Sequence, residues 1–536
     1  MDKVKQFIYD FAHKDLFEML KSGYSKIPEI DKKVFFIIFA VLNFVFIFHT
    51  VHFLWGNHDW DTIKKGLDWD YFFFECRYSA TSLKMLLTSG QILPVLNNVI
   101  GFFFFSLGTV LLLNYWETPK NLAQRVLIGL TITISPFTNL WLWYARHTIE
   151  NLSIPLFVVL GLMLSSKNLW KNLLAIVCFL FALGIYPSAL VLIATILGTK
   201  IIIDLISDNF KLKQALSKNL NGFINIFISL ISYKILLFII TFFKLTNDGL
   251  RNHHNLPVNE IIKIIPQGIT AAFQQLVNYH TFCMPHILTI SFFIIFVLIV
   301  LFGLTKLFSA KVSPAEKVKR FLISSGLLFL ILLGTKSAAI LSGENVYFLP
   351  RIDFYGLVFL RGFFVLIIFK YGNILLKNIT YILVLLILWV SIVCNFLYQK
   401  VFYLTFNAEI LRLNRIVYDI EHHPQYIPDK EYRIFIINQP KRIMNDYIPD
   451  KFQVNPTRKR SHIHKGMYIQ SLFLDALEFY ATHKFGTKEN DYSELKNIID
   501  KLESYPSENY IYIEDDIMVL TFSEKQLNEI KEQIKE

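Results

Sequence analysis

Charged side chains are scarce in this sequence. Asp, Glu, Lys and Arg make up 18% of its 536 residues, against 54% hydrophobic and 16% aromatic, and the mean hydropathy is +0.44. So little charge excludes a soluble multi-domain enzyme and leaves an integral membrane protein. Cysteine is scarcer still, and Cys76, Cys178, Cys283 and Cys394 have no metal-ligand spacing. Cys178 and Cys394 fall inside apolar runs and read as packing residues. Cys76 and Cys283 fall in segments read as external, where they could pair or equally remain thiols. There is no internal repeat, no low-complexity stretch, and no nucleic-acid motif to accompany the net charge of +11. Nor do the first residues form the clean apolar core of a cleavable signal peptide. "KQFIYDFAHKDLFEMLK" reads instead as an amphipathic helix, in a cytoplasmic arm over residues 1–33.

What the chain has in quantity is apolar runs of about 20 residues, the length that crosses a bilayer. They begin near Val34, Leu93, Val126, Leu152, Leu173, Ser188, Gly222, His286, Phe321, Phe354 and Ile379, which predicts a polytopic α-helical protein of about eleven transmembrane helices over residues 34–400. "SIPLFVVLGLMLSS" is the shortest of the runs. Lys and Arg near span ends resist translocation and so set orientation. They collect in the N-terminal arm and in alternate loops: Lys120 and Arg125, Lys167 and Lys171, Lys211, Lys213 and Lys218, then Lys311, Lys317, Lys319 and Arg320. The expectation is a cytoplasmic N-terminus in the cytoplasmic (inner) membrane, with everything beyond about Lys400 outside.

Two segments read as external are long, residues 55–92 and 245–285, and loops of that length usually carry structure and function. "DYFFFECRYSATSLKMLLTSG" in the first and "VNEIIKIIPQGITAAFQQLVNYH" in the second have helical periodicity, predicting interfacial helices. Composition changes again after about Tyr403. "EYRIFIINQP" and "YIYIEDDIMVLTFS" read as strands, and "YIQSLFLDALEFYATHKFG" and "EKQLNEIKEQIKE" as helices, so residues 401–536 are expected to form a small extracytoplasmic α/β domain.

The stretch "WGNHDWDTIKKGLDWDYFFFECR" places Asp59, Asp61, Asp68, Asp70 and Glu75 just past the first run. A carboxylate there could take a proton from an acceptor hydroxyl while a lipid-bound leaving group departs; for each acid singly, a solvated loop residue is the simpler account. External arginines are fewer, and the guanidinium fork matches a phosphate, which makes Arg77, Arg146, Arg251 and Arg351 the short list for a phosphate site. Arginine snorkelling to lipid phosphates explains each about as well. Glu150, four residues after Arg146, could simply pair with it. The external His58, His253, His254 and His280 show no metal spacing, so no metal or other cofactor is indicated. "TRKRSHIHKG" is a basic patch that suits anionic lipid or glycan, with a solvated surface the simpler reading.

Three stretches resemble a known family. They are "HDWD" with "ECRYSATSLKMLLTSGQILPVLNNVIGF", then "SPFTNLWLWYARHTIENLS", then "LGIYPSAL". Together they are similar to the bacterial serotype-conversion glucosyltransferases of the Gtr type II family, polytopic enzymes similar to the broader GT-C class. The chain departs from the family pattern at His58-Asp59, where an acidic pair is usual, at Cys76 in place of Gly, at Glu150 in place of Asp and at Pro187 in place of Gln. The resemblance implies a GT-C-like fold. It implies transfer of a hexose, glucose in the family, from a polyprenyl phosphate carrier to a lipid-linked or polymeric envelope glycan such as O-antigen, with inversion and without a nucleotide sugar. Asp59 would then be the base and Asp61 its neighbour or a ligand of the acceptor hydroxyl. Arg77, Arg146 and Arg351 would hold the donor phosphate, and Tyr144, Glu150, Tyr186 and Asp70 would line the substrate site.

Two other classes fit parts of the pattern. A lipid-linked-sugar flippase or transporter would also have about eleven spans, but it would want charges near the bilayer midplane, and only Lys234 and Lys336 stand out there. A glycan polymerase or ligase would work on the same side on lipid-linked substrates.

Overall fold

The computed structural model describes residues 21–22, 24–52, 77–142, 145–206, 212–243, 257–277, 313–337, 354–438, 473–505 and 507–535, with a few isolated positions between. Helices occupy ten of the eleven apolar runs; apart from isolated positions, the run from His286 and the first twenty residues of the N-terminal arm lie outside the described residues, as does the "TRKRSHIHKG" patch, and α1 begins inside the arm, at Glu29. In chain order the helices are α1 (Glu29–Val45), α2 (Ile47–Val51), α3 (Tyr78–Thr88), α4 (Pro94–Tyr115), α5 (Leu122–Thr133), α6 (Thr138–Leu142) and α7 (Thr148–Leu164). There follow α8 (Leu169–Ile185), α9 (Ala189–Ile206), α10 (Leu212–Phe242), α11 (Val258–Val277), α12 (Pro314–Gly334), α13 (Phe354–Tyr371) and α14 (Ile374–Glu421). Among the described residues, four helices are long and apolar enough to cross a bilayer: α4, α9, α10 and α14. Of the others on the runs, α1, α5, α7 and α8 are below 18 residues and α12 carries more charge. The chain is thus a helical membrane protein.

Local chemistry sets the helix ends. Asn121, Asn168, Ser313 and Asn373 each accept a hydrogen bond from a backbone N–H of the first turn that has no partner inside its helix. Pro94 starts α4 at a position where a missing N–H costs nothing. Close helix packing requires small residues. A Cβ on Gly108 of α4 would lie 2.7 Å from the backbone nitrogen of Leu156, so α4 and α7 cross almost backbone to backbone beside Pro155.

The basic loops gather at one end of the bundle, held by ion pairs that range from buried, at Asp31, Arg125 and Asp204, to half-exposed, at Glu117. Arg125 meets Asp31 at 2.8 Å, with Asn114 hydrogen-bonded to both. Glu117, following α4, binds Lys200 of α9 at 2.8 Å and Lys218 of α10 at 3.2 Å, and both lysines also reach Asp204. Lys370 at the end of α13 donates to the carbonyl of Trp116, and Arg320 of α12 donates to that of Leu205. Here the sequence reading needs correcting. It counted Lys234 and Lys336 as the main charges within the spans, whereas Lys84, Lys200, Asp204, Glu150 and Arg361 are all buried in the bundle. Lys200 and Asp204 are four residues apart on α9 and pair along it, whereas packing alone brings Lys84 and Glu150 together.

The helix α14 runs for 48 residues, about 72 Å at 1.5 Å per residue and more than twice the hydrocarbon thickness. It continues without a break past residue 401 and becomes one wall of an α/β unit. That unit holds strands β1 (Tyr432–Ile437), β2 (Gly486–Glu489), β3 (Ile511–Glu514) and β4 (Ile517–Thr521), and helices α15 (Phe473–Ala481) and α16 (Glu524–Lys535). The sheet order is β2-β1-β4-β3, with β1 parallel to both neighbours and β3–β4 an antiparallel hairpin turning at Asp515 in the left-handed region. Because side chains alternate along a strand, Tyr432, Ile434, Ile436, Met518 and Leu520 face α14 and α15, while Phe435, Ile437 and Val519 face 3-10 turns and α16. The strands, α15 and α16 fall in the stretches expected from the sequence, and β2 is additional. The apolar layer under α14 extends through Phe406 and Phe402 to Ile92 and Ala145, so the α/β unit abuts the bundle end opposite the basic loops.

Partial burial raises the pKa of Glu117, but hydrogen bonds and charge from Lys200 and Lys218 outweigh it and hold the carboxyl down at about 2, against an ordinary 4.5. A depressed folded-state value stabilises the fold above the unfolded value and loses that contribution as pH falls through the folded one. Glu117→Gln is therefore expected to lower the thermal midpoint in detergent at neutral pH and to flatten its decline between about pH 4.5 and 2. Identical acid limbs in the two proteins would refute this role.

Candidate active site

At the end away from the basic loops, the three stretches that carry the family resemblance come together. Arg77 is the residue from which α3 starts, and its guanidinium stacks 4.5 Å above the ring of Tyr186, where α8 ends in the "LGIYPSAL" turn. The next residue, Tyr78, donates its hydroxyl to the carbonyl of Leu180 at 3.0 Å. Gly184 makes that approach possible, since a Cβ there would meet the Tyr78 ring at 2.4 Å and the Ser79 hydroxyl at 2.5 Å. The first and third motifs thus form one surface.

The first and second motifs are joined by charge. Lys84, on α3, places its ammonium 3.0 Å from the Glu150 carboxylate in the first turn of α7, and both side chains are only 2% exposed. The His147 ring stands 3.5 Å from the same carboxylate oxygen. Expected as an interfacial helix, α3 is instead wedged into the bundle, with Ser79, Thr81, Lys84 and Thr88 buried. A lysine and a glutamate can be this deep only because each removes the other's unpaired charge. Glu150 is the acidic residue of the first turn of α7.

Below the pair, the chain between α5 and α6 leaves helical geometry at Ile134–Phe137, within the membrane bundle. Backbone freed there must find partners in protein, since lipid offers none. The Asn395 amide of α14 donates to the Ile134 carbonyl at 2.8 Å and Thr138 donates to that of Thr133 at 2.9 Å, while Asn139 donates to the Asn395 side-chain oxygen at 2.5 Å. One turn further along α14, Gln399 donates to the Val45 carbonyl. Asn98 donates to the carbonyl of His49, and Asn97 reaches that of Ala145 at 3.5 Å. Arg361 of α13 is buried to 1% exposure with its guanidinium 4.9 Å from the Phe137 ring. An arginine at such depth is costly and marks a functional region by default.

The residues singled out from the sequence are distributed as follows. Arg77, Tyr186 and Glu150 are brought to one end of the bundle. The backbone of Arg146 lies in the 3-10 turn Ala145–His147, between Ala145 and the Glu150 partner His147. Asp59, Asp61, Asp70, Tyr144 and Arg351 lie outside the described residues, as do Cys76 and Cys283. Among the described residues, no three His, Cys, Asp or Glu side chains stand where they could hold one metal ion. Sequence reasoning missed Lys84, His147, Asn97, Asn139, Asn395, Gln399 and Arg361. The signals were Asn and Gln one turn apart in an apolar run, the Asn97-Asn98 doublet, and a lone Arg in "LVFLRGFFVL".

Lys84→Met should leave the Glu150 charge uncompensated and cost about 3–5 kcal/mol of stability, to the point of poor expression, whereas Lys84→Met/Glu150→Leu should recover most of it. Thermal unfolding of the two variants is the measurement. A double variant no more stable than the single one would show that the pair is not what holds α3.

The glucosyl transferase GtrII family matches residues 75–360. That stretch opens two residues before Arg77 and includes Arg146, Glu150, Tyr186 and Arg351, while the acids from Asp59 to Asp70 and the α/β unit fall outside it. No curated protein and no solved structure matches the chain. With more than half of its length matched, Arg77, Lys84, Glu150 and Tyr186 included, the chain belongs to the GtrII glucosyltransferase family.

Proposed function

We propose that this glycosyltransferase moves a hexose, glucose, from a polyprenyl phosphate carrier to an envelope glycan at the outer face of the cytoplasmic membrane. The supporting observation is the stacked Arg77–Tyr186 pair beside the buried Lys84–Glu150 pair, at the bundle end remote from the basic loops. In that orientation the N-terminus is cytoplasmic and residues 401–536 are extracytoplasmic, and both the lipid-linked donor and the glycan acceptor reach the same end.

The chemistry is a displacement at the anomeric carbon. An acceptor hydroxyl loses its proton to Asp59 as its oxygen bonds to that carbon, and the bond to the carrier phosphate oxygen breaks, with inversion. Asp61 orients the acceptor. Arg77, Arg146 and Arg351 hold the leaving phosphate and offset its growing charge. Stacking on Tyr186 fixes the plane of the Arg77 guanidinium before substrate arrives. Glu150, committed to Lys84 and His147, shapes the substrate pocket with Tyr144, Tyr186 and Asp70 and is not the base.

The decisive assay compares transfer from a purified polyprenyl-phosphate glucose with transfer from the nucleotide sugar, in detergent, with and without chelator. We expect the first donor alone to work and the chelator to have little effect. Asp59→Asn should cut the rate by about 10² to 10⁴, and Arg77→Lys, which keeps charge but loses the fork, should also reduce it. Transfer from the nucleotide sugar alone would reject the carrier-lipid donor. Movement of the lipid-linked sugar across a bilayer without transfer would favour a flippase. For orientation, a cysteine introduced at Lys465 should react with a membrane-impermeant reagent in intact cells, and reaction only after permeabilisation would invert the topology.

A further inference from the structure

A second polar site lies at the other end of the bundle. Between the C-terminal end of α7 and the first turns of α10 is a cavity of about 570 Å³, lined by Ser165, Ser166, Lys167, Lys213, Gln214, Ser217, Lys218 and Asn221. Every lining side chain is polar, three are cationic and none is acidic. Asn225 fixes one wall by donating to the Ser165 hydroxyl at 3.0 Å and to Asn172 at 2.9 Å, and Asn172 in turn accepts from the Ser166 N–H. Lys218 is held back by Glu117 and Asp204. Lys167 and Lys213 are exposed at the cavity and form no ion pair among the described residues.

The surroundings narrow what such a cavity takes. The flanking face of α10 exposes Leu216, Leu220, Phe223, Ile224 and Phe227, and the start of α8 exposes Leu169, Trp170, Leu173 and Leu174. A cationic, hydroxyl-lined recess therefore adjoins exposed apolar residues, among them Trp170, a residue type enriched between lipid headgroups and acyl chains. A free anion would use the first feature alone. A phosphate-bearing headgroup with acyl chains uses both, and basic pockets between helices on the lysine-rich side of a membrane suit such lipids.

We propose that this cavity binds the headgroup of an anionic phospholipid, with the phosphate between Lys167 and Lys213 and the acyl chains along α8 and α10. The site is separate from the glycosyl-transfer site and does not depend on the donor assigned there. The test uses the full chain, purified in detergent with equal phosphatidylglycerol and phosphatidylcholine, and native mass spectrometry of the lipids retained. Phosphatidylglycerol should be retained in preference. Lys167→Gln/Lys213→Gln should lower that preference by roughly five-fold per lysine, about 25-fold in all, with the thermal midpoint without added lipid little changed. Equal retention of the two lipids, or an unchanged preference in the variant, would overturn the assignment. Excess inorganic phosphate is the further arm. Lipid that stays bound supports a headgroup site, and lipid displaced by phosphate alone would make the ligand a free phosphate.

Discussion

A charge inside a membrane protein has to be answered by another charge or by a dense set of hydrogen bonds, because neither lipid nor apolar side chains will solvate it. The Lys84–Glu150 pair meets that demand at the bundle end remote from the basic loops, and the site is organised around it. One partner comes from the helix that follows the first long loop, the other from the first turn of a span. Joining them draws α3 down among the spans. Arg77 then stands over Tyr186, and the Ala145–His147 turn is held against α7.

The same constraint shapes the broken helix between α5 and α6. Pro136 interrupts the backbone ladder, and Asn395 of α14 donates to the exposed Ile134 carbonyl while accepting from the Asn139 side chain. A helix that also walls the α/β unit thereby reaches into the bundle core. Its apolar face passes from the membrane interior, through Phe402 and Phe406, to the sheet. The α/β unit lies over the same end as the polar site, which suits a substrate that arrives from outside the bilayer. At the opposite end Glu117, Lys200, Asp204 and Lys218 tie the spans together and leave two lysines facing an open polar cavity.

Single-charge reasoning from the sequence went wrong in a consistent way. It ranked residues by their loop, so Arg77 and Arg146 were noticed and Lys84 was not. It read α3 as lying on the surface, because its apolar periodicity is the same whether the helix rests at an interface or is inserted. Arg361 was passed over because one arginine barely lowers the hydropathy of "FYGLVFLRGFFVLIIF". Glu150 was given the right neighbourhood, and the structure adds a partner distant in sequence, Lys84, that reaches it from α3.

The sequence by itself determined the membrane class, the helices on ten of the apolar runs, the alternation of basic loops and the strand and helix content of the terminal region, since each depends on local composition or a short period. It also carried the family motifs. Tertiary structure alone decided that the motifs meet, that α3 is buried, that Asn395 serves the α5–α6 break some 260 residues away in the chain and Gln399 the end of α1 some 350 residues away, and that α14 links membrane and sheet. Those outcomes depend on desolvation, and a side chain's solvation is set by what folds against it, which no local window of sequence contains.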